Sequence, residues 1–265
     1  MHNKIFETHA HYEDEKFDTD REALLASLLK QGIEYVINVG SSLKTTEKSI
    51  ALANRYDFIY AAVGVHPSDV GELTTENFAW LKKQADDKKA AAVGEIGLDY
   101  YWDKDEAVQK NQRFWFREQM LLAREKGLPV IIHSRDAAED TMRVMKEVNA
   151  GEIQGVIHCY SYSVEMAREF IKMSYYIGIG GVLTFKNAKK LKEVAAEIPL
   201  ERILLETDCP YMAPEPYRGT RNSSLYIPYV VEKLAEIRNI SKEEIIDATN
   251  KNAKQLFQKI GCGGI

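Results

Sequence analysis

No stretch of the 265-residue chain approaches the roughly 18 consecutive apolar residues that cross a bilayer, which argues against a spanning helix. The N-terminus, Met1-His2-Asn3-Lys4-Ile5-Phe6-Glu7, holds no apolar run of signal-peptide length. Cysteine is scarce: Cys159, Cys209 and Cys262 are an odd, widely spaced set, which fits a reducing cytosol better than a disulfide framework. A cytoplasmic protein with no membrane association is the expectation. Positive charge is not in excess, since 35 Lys and Arg face 40 Asp and Glu for a formal net charge of −5. That balance argues against a protein that grips nucleic acid mainly by bulk charge, but not against an enzyme that handles it at one local site. There is no Pro-, Gly- or Ser-rich linker, no long charge run and no low-complexity segment, so residues 1–265 read as one domain. Hydrophobic residues at 45% and charged residues at 28% exclude a disordered chain.

What the chain does have is an alternation of short β-branched runs with longer amphipathic stretches. The runs cover 4–6, 35–39, 58–65, 90–93, 129–132, 155–157, 175–179 and 202–205. Helical patterns fall between them at 20–31, 45–55, 75–85, 106–125, 137–148, 163–172 and 188–196, with two more at 226–238 and 242–259. Ser241 with Glu244, and Thr19 with Glu22, have capping-box spacing. Eight strands alternating with helices predict an α/β protein of the (β/α)8 TIM-barrel type, and an open doubly wound sheet usually needs fewer strands.

Histidine is rare, and its placement is informative. Of six histidines, His9, His11, His66, His133 and His158 each lie at or just past the end of an apolar run. The C-terminal ends of barrel strands form one face, so the barrel brings these residues together. Glu95 and Asp208 close the fourth and eighth runs in the same way. Side chains two apart on a strand share a face, so His9 and His11 can bind one ion together, with Glu7 behind them. One histidine alone is more often a hydrogen-bonded structural residue, so the assignment rests on the set. Glu206 shares a face with Asp208 and can equally be a buried partner. Imidazoles with carboxylates suit Zn²⁺, Mn²⁺ or a related ion. Four histidines and two acids exceed what one structural zinc needs, so we expect two divalent ions with one bridging carboxylate.

The segments Glu7-Thr8-His9-Ala10-His11, Gly64-Val65-His66-Pro67, Gly94-Glu95-Ile96-Gly97-Leu98-Asp99-Tyr100, Ile132-His133-Ser134-Arg135, His158-Cys159-Tyr160-Ser161, Glu206-Thr207-Asp208-Cys209-Pro210-Tyr211 and Arg218-Gly219-Thr220-Arg221-Asn222 are spread along nearly the whole chain. Together they resemble the TatD-type metal-dependent deoxyribonucleases, within the amidohydrolase-like barrel hydrolases. The resemblance implies that His9, His11, Glu95 and Asp208 hold one ion, and that Glu95, His133 and His158 hold the second. It implies a phosphate or substrate contact for His66 and a 3′–5′ exonuclease-like activity on DNA, single-stranded or at frayed ends, with no obligatory protein partner. The family usually has Asp where this chain has Glu7, and often has Pro where it has Ser224.

On this reading, Asp208 orients the attacking water or takes its proton, and Asp208 and Glu95 are the catalytic carboxylates. Arg135, Arg218 and Arg221 follow strand ends and can line the mouth, where a guanidinium suits phosphate. Tyr160, and the aromatics Tyr100, Tyr101 and Trp102 after Asp99, can either stack on a base or pack their loops. The ion can be Mg²⁺, Mn²⁺ or Zn²⁺. Two rival classes remain. The first is a metal-dependent hydrolase of an ester, amide or lactone on the same barrel, aminoacyl-tRNA esters included. The second is a non-catalytic binding barrel. Many two-metal amidohydrolases place a bridging Lys after the fourth strand. Glu95 stands there in this chain, which favours the nuclease-like branch.

Overall fold

The computed structural model describes residues 4–260, so Met1, His2, Asn3 and Cys262 lie outside it. Among the described residues, eight strands form one parallel sheet in sequential order, β1 to β8. They are β1 (Ile5–Ala10), β2 (Ile33–Val39), β3 (Ile59–Val63), β4 (Ala90–Asp99), β5 (Val130–Arg135), β6 (Gly155–Ile157), β7 (Tyr176–Ile179) and β8 (Ile203–Leu205). Helices alternate with them: α1 (Arg21–Leu28), α2 (Leu43–Arg55), α3 (Thr75–Gln84), α4 (Glu106–Lys126), α5 (Ala138–Glu147), α6 (Val164–Lys172) and α7 (Lys189–Glu197). Two more, α8 (Ile227–Arg238) and α9 (Lys242–Leu256), follow β8. This is the (β/α)8 barrel expected from the alternation. No helix among the described residues is long and apolar enough to cross a membrane.

Two apolar clusters hold the fold. One joins the outward faces of the strands to the helices. The other takes Phe6, Ile37, Ala62, Ala92, Ile131, Val156, Tyr176 and Leu204 from successive strands and adds Leu256, Phe257 and Ile260. The end of α9 thus caps this second core, and the strand C-termini are left for chemistry. The last strand is only three residues long, and the barrel closes by other means. Ala10 bridges Cys209 in parallel, Asp208 N–H donates to His9 O at 2.9 Å, and His11 N–H donates to Cys209 O at 2.8 Å.

Three local expectations change. The fourth strand does not end at Glu95. It runs on to Asp99, pairing Gly97 with His133 and Asp99 with Arg135. Gly97 makes this possible: its φ is +144°, and a Cβ there would sit 1.9 Å from His133 O. The Ser241–Glu244 capping box is formed, whereas the Thr19–Glu22 box is not. Asp20 precedes α1 with no side-chain cap, because Arg221 takes its carboxylate, and Glu22 is drawn to Arg55 and Tyr56. The final helix ends at Leu256 rather than 259, where the chain turns so that Phe257 enters the core.

Candidate metal centre

β1 supplies His9 from within the strand and His11 just beyond it. β4 supplies Glu95, β5 supplies His133, and His158 and Asp208 follow β6 and β8. All six side chains meet in one space. The two Nε2 atoms of His9 and His11 are 3.1 Å apart. Glu95 Oε2 lies 3.5 and 3.8 Å from them, and Asp208 Oδ1 lies 3.8 and 3.5 Å from them. Ligands at about 2.0–2.2 Å from a tetrahedral ion stand about 3.3–3.6 Å apart. The first set therefore fits one divalent ion.

The other oxygen of Glu95 faces a second set. Glu95 Oε1 is 2.9 Å from His133 Nδ1 and 3.4 Å from His158 Nε2. One carboxylate thus presents one oxygen to each group of imidazoles, the arrangement a bridging ligand needs. Two sets that can hold an ion follow: His9, His11 and Asp208, and Glu95, His133 and His158.

The tautomers suit this arrangement. His11 Nδ1–H donates to Val39 O at 2.8 Å, a bond that an ion taking Nε2 in place of its proton would leave intact. His133 lies between two carboxylates, Nε2 3.0 Å from Asp99 Oδ2 and Nδ1 2.9 Å from Glu95 Oε1; with its proton kept on Nε2 for Asp99, it would offer Nδ1 to an ion beside Glu95. His158 Nδ1 lies 3.3 Å from Glu206 Oε2, with Nε2 toward Glu95. Room for Glu206 comes from Gly178, where a Cβ would lie 2.4 Å from its Oε2. Carboxylates behind ligating imidazoles fix ring orientation and raise basicity. Asp99, Glu13 and Glu206 stand in such places, and the sequence reading assigned no role to the first two. Residues 95, 97 and 99 share one face of β4, and that places Asp99 behind His133 once the strand is seen to run on past Glu95.

His66 differs. It caps the turn that follows it, its Nδ1 accepting Ser68 N–H at 3.2 Å, so the proton sits on Nε2. Burial, reinforced by the neighbouring His133, pushes its pKa down to about 3. His66 is therefore a neutral N–H donor aimed at the centre, with Nε2 3.8 Å from Glu95 Oε1. A nitrogen carrying a proton does not ligate a cation, which disfavours an ion between His66, Asp99 and His133. Burial opposes a charged His158, yet Glu206 and Glu95 outweigh it and hold the pKa of the metal-free site at about 9, so an ion taking Nε2 would displace a proton. Burial likewise opposes ionised Asp208, but the hydrogen bond from His11 and the charges of His158 and His9 keep its pKa low.

Glu7 is not among the candidate ligands. Its buried carboxylate accepts four hydrogen bonds: Oε1 takes His9 N–H and Thr207 N–H, both at 3.0 Å, and Oε2 takes the hydroxyls of Thr207 at 2.7 Å and Ser224 at 2.9 Å. Burial still raises its pKa to about 7. The two departures from the family pattern thus touch each other: the longer Glu7 side chain meets the Ser224 hydroxyl. Tyr12 completes the group, donating to Ser224 Oγ at 2.7 Å and accepting Ser224 N–H at 3.0 Å.

A cleft of about 880 Å³ opens above the centre, and His66, Arg135 and Tyr160 line it. The Tyr160 hydroxyl donates to Ser163 O, so this residue forms wall. The other two arginines do not reach the cleft. Arg221 clamps Asp20 through both terminal nitrogens at 2.7 and 2.6 Å and lies over the Phe17 ring. Arg218 is exposed and lies over Phe185. Tyr100 packs its loop, its hydroxyl bound to Asp140 and Arg113.

Asp99 provides a direct test. Oδ2 accepts from His133, while Oδ1 accepts the N–H groups of Tyr101 at 2.9 Å and Trp102 at 3.1 Å. An amide must turn its NH₂ toward one of these partners. Asp99→Asn is therefore expected to weaken metal affinity by about 10–100-fold, read by competition with a chromophoric chelator. Wild-type affinity would remove Asp99 from this role.

The model of the TatD related DNase family matches residues 6–258. The uncharacterized metal-dependent hydrolase YabD of Bacillus subtilis is 46% identical over 254 residues, covering 96% of this chain and 99% of that one. The uncharacterized metal-dependent hydrolase YcfH of Escherichia coli is 30% identical over 256 residues, covering 96% and 95%. The solved structure of YjjV, a TatD homologue from E. coli, superposes with a TM-score of 0.90 at 32% identity, covering 97% and 99% of the chains.

Proposed function

The chain belongs to the TatD-related DNase family and is a metal-dependent hydrolase, and from that premise we propose that it hydrolyses DNA phosphodiesters using two divalent ions. The split carboxylate of Glu95, one oxygen toward each imidazole set, carries this reading. His9, His11, Glu95 and Asp208 would hold one ion, and Glu95, His133 and His158 the other. When bound, such ions lower the pKa of water from about 15.7 towards 7 and stabilise charge on phosphoryl oxygens.

The chain's own groups supply the rest. Asp208, ionised at the mouth, orients the attacking water and takes its proton. His66 donates from Nε2 to a phosphoryl oxygen. It is neutral across the working pH range and so does not switch off as pH rises. Arg135 holds a neighbouring phosphate from the cleft wall. An unpaired end fits an open cleft on an acidic protein better than a long duplex held by bulk charge.

One observation favours a second reading. Glu13, Asp14 and Asp69 line the same cleft, and acids there suit a substrate with an ammonium group, such as an aminoacyl ester. Metal-reconstituted protein should be offered end-labelled single- and double-stranded DNA, aminoacyl-tRNA, and ester and lactone substrates. A shortening DNA ladder supports the phosphodiester reading. Turnover confined to acyl esters overturns it.

A further inference from the structure

We propose that Trp102, with Tyr101 and Arg135, forms a stacking platform for an unpaired base of a single-stranded DNA end beside the cleft. The proposal rests on the DNA reading of that cleft. Scattered exposed aromatics are ordinary on protein surfaces. This pair is different in four respects.

First, the exposure is large and local. Trp102 is 68% exposed and Tyr101 44%, on the loop that leaves β4. Second, the rings are ordered against each other, edge to face at 86° with centroids 4.7 Å apart. Third, Arg135 lies over both, its guanidinium carbon 4.0 Å from the Tyr101 centroid and 5.6 Å from that of Trp102. Arg135 also lines the cleft and has no carboxylate partner among the described residues. It therefore joins the platform to the candidate centre, two residues after His133 on β5. Fourth, the loop is fastened. Asp99 Oδ1 accepts the N–H groups of Tyr101 and Trp102, Lys104 Nζ donates to Tyr100 O, and Gln112 donates to Asp103.

A fastened, exposed indole presents a flat apolar face without paying to order it on binding. A base stacks on such a face irrespective of its identity, because every base has a π-face. Arg135 supplies positive charge for the adjoining phosphate. Paired bases bury their faces in the duplex, so the platform selects unpaired ends.

The test uses metal-loaded full-length protein and a fluorescein-labelled phosphorothioate dT12, which resists cleavage. Comparison strands are the same oligomer without bases and a blunt duplex of equal length. Trp102→Ala, at an exposed position that leaves the core untouched, is expected to raise the dT12 Kd by about ten-fold or more. Trp102→Phe should restore most of the affinity, and the base-free strand should bind both proteins alike. Wild-type binding and cleavage of DNA with an unchanged Kd in Trp102→Ala overturns the platform and leaves the phosphodiester reading intact. A wild type that neither binds nor cleaves any DNA, but hydrolyses an acyl ester, overturns both.

Discussion

Asp208→Asn is expected to lower turnover on the best DNA substrate by about 10²–10⁴-fold, the range that removal of a general base produces. The substitution is nearly isosteric. Its backbone position has φ of 56°, in the left-handed region that Asn tolerates as readily as Asp. The N–H to His9 O and the carbonyl that accepts Tyr211 N–H are main-chain groups and survive the change. A folded protein, shown by a cooperative melting curve, should therefore accompany the loss. Asp208 is also a candidate ligand, so rates must be read at saturating metal, where weaker affinity no longer contributes. Near-normal turnover under those conditions would reject Asp208 as the proton acceptor.

The second large effect concerns the ions themselves. Protein stripped with a chelator and desalted should lose hydrolysis to background, and metal added back should restore it. Stripping leaves Glu95, Asp208 and their imidazoles facing one another in a buried space, so stability should change as well. An ion held at about 1,000 times its Kd contributes roughly 4 kcal/mol to folding, which for a chain of this size is roughly 8–16 °C in melting temperature. Reconstitution with Mg²⁺, Mn²⁺ and Zn²⁺ in turn ranks them by both readouts. Imidazole-rich sets favour the later ions in melting temperature, and the most active ion need not be the most stabilising. Full activity in protein shown by elemental analysis to be metal-free would dismiss the two-ion mechanism.

The barrel was legible because its signal is repeated: each strand is a short β-branched run, and errors at single boundaries do not change the alternation. Convergence of the histidines followed from topology alone. What stayed hidden depended on partners distant in sequence. Arg221 looked like a mouth residue because it follows the last strand, but Asp20 lies next to it in the fold. The Thr19–Glu22 cap fitted its local spacing and lost to tertiary pairing at Asp20 and Glu22. Glu95 was read as the end of its strand. A run of Gly, Glu and Asp does not look like β structure, and Gly97 takes a conformation open chiefly to glycine. Glu7 and Ser224 stood out as two separate departures from a family pattern. Only the fold shows them to be one hydrogen bond.

That hydrogen bond belongs to the seam where the first and last strands meet. Most ladder amides are protected by other amides, but the N–H groups of His9 and Thr207 both end on Glu7 Oε1, a side-chain atom. Such amides become exchangeable whenever one carboxylate moves, without the sheet coming apart. Deuterium uptake at these two positions should therefore be an early reporter of seam opening. An ion joining His9 to Asp208 across the seam would slow uptake there selectively, while strands β5 to β7 on the far side keep their protection. Isotope labelling at the seam would then read metal loading residue by residue, with no substrate present.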